Sequence, residues 1–156
     1  MALSLLGGAS SAAPKQQKVD GSIRMMAPYA GSTFATCYSG LHRRIMILSS
    51  ENQQINGVVG YSFDLEPATN KKPFVLEVTG GQGDVDLDIT FYTEFGTPEQ
   101  ATDPAYAPAN YSYETRGAGG ESGMVPDGMK KAIVCMHTGM NATFTYTAGK
   151  GVKLPK

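Results

Sequence analysis

The sequence predicts an all-β chain, folded as an antiparallel two-sheet β-sandwich of jelly-roll type, and three observations carry that expectation. Short runs rich in β-branched and aromatic residues recur along the chain, explicit turn signals separate them, and no stretch keeps a 3.6-residue apolar stripe beyond one turn. The clearest run is Val85-Asp86-Leu87-Asp88-Ile89-Thr90-Phe91-Tyr92. Val85, Leu87, Ile89 and Phe91 take one face, and Asp86, Asp88, Thr90 and Tyr92 take the other. Strict alternation implies one face buried and one wet, as in an antiparallel sandwich.

In chain order, residues 1–20 read as leader and linker. The apolar Leu3-Ser4-Leu5-Leu6 stretch and the small residues Ala9-Ser10-Ser11-Ala12-Ala13 resemble the end of a secretory signal peptide, with a cut after Ala12. No basic segment precedes the stretch, and it is shorter than the roughly 7–15 apolar residues of a full signal core. The domain is expected over residues 21–150, with a tail at 151–156. Strands are expected first at Ser22–Met26, Thr33–Tyr38 and Arg43–Leu48. After Asn56-Gly57 come Val58–Leu65 and then Phe74–Thr79. Gly80-Gly81-Gln82-Gly83 leads into Val85–Tyr92, and an irregular segment at 96–110 precedes Tyr111–Glu114. Beyond Pro126-Asp127-Gly128 lie Lys131–Met136 and, past Gly139, Ala142–Thr147. Such short strands with Gly- and Pro-rich turns pack most economically as two sheets.

Composition narrows the function classes. A formal net charge of -1 supplies no basic face for nucleic acid. No segment approaches the roughly 18 apolar residues of a membrane-spanning helix. The two cysteines, Cys37 and Cys135, both lie in apolar, strand-like surroundings. With a secretory leader they are expected to pair, closing a loop over most of the domain and stabilising it by about 4–5 kcal/mol on chain-entropy grounds. Two buried free thiols are the other reading.

Among polar groups, Asp84, Asp86 and Asp88 are the sharpest constellation. Alternate residues on a strand project from one face about 6.8 Å apart, so three carboxylates would line up. Calcium accepts several oxygen ligands and could be held by two of them with nearby carbonyls. A plain solvated row, with Asp84 capping the turn after Gly83, explains the same residues. Tyr106, Tyr111 and Tyr113 form the second constellation. Exposed rings on a sandwich stack on sugars, although such tyrosines also serve to cover the sheet's own edge. His42 and His137 stand at no metal-ligand spacing, and no nucleophile motif accompanies either. Asn110-Tyr111-Ser112 and Asn141-Ala142-Thr143 fit the N-glycosylation pattern, relevant only in a eukaryotic secretory route.

Two segments resemble the bacterial pre-peptidase C-terminal domains, small secreted β-sandwiches found beside extracellular proteases. The first runs from Lys72-Pro73-Phe74-Val75-Leu76-Glu77-Val78 through a Gly-rich turn to Asp84–Tyr92. The second is Val125-Pro126-Asp127-Gly128 entering Lys131–Cys135, then a turn and Ala142–Tyr146. Together they cover roughly residues 58–147. The resemblance implies a secreted sandwich and adds a little weight to calcium at the aspartate row, since some members bind it, with the solvated row still the simpler reading. The expectation is therefore a non-enzymatic secreted binding or accessory module with a protein or polysaccharide ligand. A structural protein self-assembling on a cell surface or into a fibre, and a carbohydrate-recognition domain, are the alternatives.

Overall fold

A computed structural model describes residues 16–23, 53–55, 58–94, 109–115, 117 and 119–155. They are almost entirely β, in seven strands with one short 3-10 turn at Pro67–Thr69. The strands are β1 (Gln16–Ile23), β2 (Gln53–Ile55), β3 (Val58–Asp64), β4 (Pro73–Tyr92), β5 (Asn110–Tyr113), β6 (Glu121–Met124) and β7 (Lys131–Gly149). All pair antiparallel within one hydrogen-bonded sheet.

The organising feature is the pair β4 and β7. Phe74–Thr79 and Val85–Tyr92, expected as separate strands, are one continuous strand, and Lys131–Met136 and Ala142–Thr147 are another. The Gly-rich segment is a bend within the pair rather than a break. Register shifts fall between Val78 and Leu87, and Gly81 and Gly139 adopt φ of 148° and 96° there. A Cβ on Gly139 would lie 2.8 Å from the Val85 Cα, so the bend needs glycine for space as well as for φ.

The bend divides the sheet in two. The first half-sheet joins β1, the end of β7, the start of β4 and β6. The second joins β2, β3, the start of β7, the end of β4 and β5. Their inner faces supply one apolar core, with Phe74, Leu76, Phe144 and Tyr146 from the first half and Leu87, Ile89, Phe91 and Val134 from the second. Two connections cross the open end and tie the halves together. Leu65 N donates to Lys130 O (2.9 Å), Lys71 N to Val125 O (2.8 Å) and Lys130 N to Tyr92 O (2.8 Å). The result is barrel-like.

The first strand begins at Gln16, within the stretch expected as linker, and ends at Ile23. The expected strands Thr33–Tyr38 and Arg43–Leu48, the leader before Gln16, Cys37, His42 and Tyr106 lie outside the described residues, as does the side chain of His137.

Candidate functional site

The outer faces of the two half-sheets differ, and that difference frames every candidate site. On the second half, Asp86, Asp88, Thr90 and Tyr92 share the outer face of β4 with their β7 partners Thr138, Cys135, Ile133 and Lys131. The alternation expected from the sequence holds, but this face is not wet. Asp86 and Asp88 are only 6% and 3% exposed, and Thr90, Tyr92, Ile133 and Cys135 are buried with them. A solvated aspartate row is therefore corrected for these two residues. Period-2 alternation fixes which side chains share a face and does not fix whether that face is covered.

Asp84 stands apart. It is exposed, and its carbonyl accepts a hydrogen bond from Thr138 Oγ1 at 2.6 Å. The three aspartates thus do not share one environment. Burial, together with the carboxylates of Asp86, Glu121 and Glu114, pushes the Asp88 carboxyl up from 3.8 to about 7. Glu121, itself buried, accepts from both Thr115 N and Thr115 Oγ1. Among the described residues, no three His, Cys, Asp or Glu side chains converge so as to hold a metal ion.

The tyrosines also separate. Tyr113 packs edge-on against Phe74 and Phe91, with centroids 4.9 and 6.0 Å away, and its hydroxyl donates to Met124 O at 2.6 Å. Gly123 makes room for that ring, since a Cβ there would sit 2.4 Å from Tyr113 Cε1. Tyr113 therefore closes the seam between β5 and β6. Tyr111 leans on it at 5.0 Å and remains 53% exposed.

The opposite seam, between β1 and β3, has the same construction and was not foreseen. Tyr61 meets Phe144 edge to face at 5.3 Å, and Gly21 of β1 lies against both rings. Beside it the first half-sheet keeps its outer face in solvent. Asp20 stands opposite Thr145 and Ser22 opposite Thr143, with Glu77 on the far side of Thr145. Thr145 Oγ1 donates to Asp20 Oδ1 (2.6 Å), and Thr79 Oγ1 donates to Thr143 Oγ1 (3.0 Å). A shallow groove with a volume of about 450 Å³ runs along this seam, lined by Asp20, Ser22, Tyr61, Thr143 and Thr145 among others. The sequence held part of the signal, the alternating Thr143, Thr145 and Thr147, but Asp20 was assigned to the linker.

No helix among the described residues is long and apolar enough to cross a membrane. No protein-family model matches the chain, and no curated protein or solved structure matches it.

Proposed function

We propose that the chain is a non-enzymatic secreted binding or accessory module of the pre-peptidase C-terminal type, its bent sheet a variant of the jelly-roll sandwich. The observation that carries this reading is the first half-sheet. It turns an open, polar outer face to solvent while its inner face is locked onto the other half by Phe74, Phe144 and Tyr146. Side chains on that face are held crosswise by Thr145–Asp20 and Thr79–Thr143 bonds, which suits a rigid surface presented to a partner. Sedimentation velocity over a wide concentration range is the test. A monomer throughout supports the module, and growth into large particles favours the alternative, assembly through a sheet edge.

Secretion and the Cys37–Cys135 pairing belong to the same proposal. Cys135 is fully buried on β7, and no cysteine among the described residues is free. Mass spectrometry of the unreduced, alkylated chain should find no modified thiol; two alkylated cysteines would remove both the staple and the argument for an oxidising compartment. Calcium at the aspartate row is the second reading, favoured by the buried, same-face placement of Asp86 and Asp88. Its test is the melting temperature with calcium against chelator, because a ligand of the native state alone must raise it.

A further inference from the structure

We propose that Tyr113 guards a strand edge: its hydroxyl occupies outward backbone groups of β6 that would otherwise pair with β6 of a second copy of this chain. The inference deepens the binding-module reading and rests on it, since it names what keeps the module a monomer.

The argument starts from Pro73. It stands opposite Met124 in the pairing of β4 with β6 and has no N–H to give. Antiparallel partners alternate between bonded and non-bonded pairs, so this register turns the N–H and C=O of Met124 away from β4. The next residue turns the other way, Val125 N donating to Lys72 O (2.9 Å) and Val125 O accepting from Lys71 N (2.8 Å). Among the described residues no strand pairs with β6 on its far side. One phenol takes that place. Tyr113 Oη donates to Met124 O at 2.6 Å and accepts from Met124 N at 3.3 Å, the two bonds a neighbouring strand would make there. The ring itself packs on Phe74 and Phe91 of the core, so the hydroxyl alone reaches the edge.

The sequence of β6 supplies no other guard. Exposed edges resist a second chain chiefly through charged side chains and proline. Glu121–Met124 contains no Lys, Arg or Pro, and its one charge is withdrawn from the edge, because Glu121 is buried and its carboxylate accepts from Thr115 N and Thr115 Oγ1. Two copies of β6 set antiparallel about a two-fold axis would therefore meet without like-charge repulsion and would cover the exposed Met124 side chain. The opposite seam is the contrast. There Gln17 Nε2 donates to Asp64 O (2.7 Å) and Gln17 Oε1 accepts from Glu66 N (2.9 Å), again a side chain standing in for a strand. But β1 also carries the exposed charges of Lys18 and Asp20, so that edge is protected without the bridge.

The experiment is sedimentation velocity of the full chain and its variants over a wide concentration range, with circular dichroism to check that each variant folds. The parent should stay monomeric. Tyr113→Phe keeps the ring on the core and uncovers the Met124 N–H and C=O; it should dimerise as concentration rises, doubling the sedimenting mass. Adding Met124→Pro removes the outward N–H at a position where no ladder bond to β4 is lost, and should restore the monomer. Gln17→Leu loses a bridge of the same kind at a charged edge and should remain monomeric. Tyr113→Phe that stays monomeric at every concentration would overturn the guard with the module reading intact. So would a dimer that survives Met124→Pro, or one that forms equally in Gln17→Leu. Particle growth in the parent itself would instead remove the module reading, and the guard with it.

Discussion

The rings of Phe74 and Phe91 meet edge to face, centroids 5.1 Å apart, although both residues belong to the single strand β4. A straight strand would hold them roughly 56 Å apart at about 3.3 Å per residue. Their contact is thus a direct measure of the bend at Gly81 and Gly139, and it places the two ends of one strand on opposite sides of the core. Each truncation to alanine should cost about 3–5 kcal/mol. In a double-variant cycle the pair should couple by about 1 kcal/mol. Strict additivity in denaturant unfolding would mean that the two half-sheets do not close on each other.

Much of this architecture was legible in the residues. Val85–Tyr92 announces its two faces, and Lys131–Met136 and Ala142–Thr147 carry their own strand chemistry. What the sequence withheld is non-local. Gly80-Gly81-Gln82-Gly83 reads as a turn, because glycine at positive φ serves turns and bulges alike. Only the register of β4 on β7 across the whole segment distinguishes them. Burial of Asp86 and Asp88 was hidden for a similar reason, since alternation says nothing about a second cover. Asp20 was passed over because Lys18-Val19-Asp20-Gly21 is weak strand chemistry on its own. It becomes β1 through its pairing with the far end of the chain, from Gln16↔Gly149 to Ile23↔Ala142.

Two glycines should prove irreplaceable for different reasons. A Cβ on Gly120 would lie 1.7 Å from the Leu76 carbonyl oxygen, a backbone atom within the β4 ladder that cannot step aside. Gly120→Ala should cost about 3 kcal/mol. At Gly123 the obstacle is the Tyr113 ring, which can rotate away at the expense of its bond to Met124 O. Gly123→Ala should cost about 1–2 kcal/mol. Combined with Tyr113→Ala it should destabilise less than the sum of the single changes. Additive losses would show that the ring does not rest on Gly123.

Asp88 should make stability fall as pH rises. Its folded pKa, about 7, lies above the ordinary 3.8, so the native state holds a proton that the unfolded chain has released. The native state is therefore favoured most at low pH, and this contribution is lost progressively between about pH 4 and pH 7. Asp88→Asn removes the ionisation and should flatten that dependence. At pH 8, with chelator present, the variant should exceed the parent by at most on the order of 4 kcal/mol. Urea melts at pH 5 and pH 8 measure it. A variant that is weaker at pH 8, and weaker only when calcium is supplied, would instead favour a metal-bound carboxylate.

The last prediction contrasts two tyrosine hydroxyls. Tyr146 lies wholly within the core, its ring 4.9 Å from Phe63 and stacked on Phe74 at 5.9 Å. Its hydroxyl is buried with no hydrogen-bond partner among the described residues, and burial pushes its pKa well above the usual tyrosine value. A buried polar group with no partner incurs a desolvation cost that nothing offsets, about 1–3 kcal/mol in comparable cases. Tyr146→Phe removes that cost and keeps every ring contact, so it should leave stability unchanged or raise it by about 1 kcal/mol. Tyr113→Phe should do the opposite, because Tyr113 donates to Met124 O and the variant forfeits that bond; about 1 kcal/mol should disappear. Denaturant midpoints of the two variants, measured side by side, decide the matter. Equal losses would mean that Tyr146 has a partner inside the core after all.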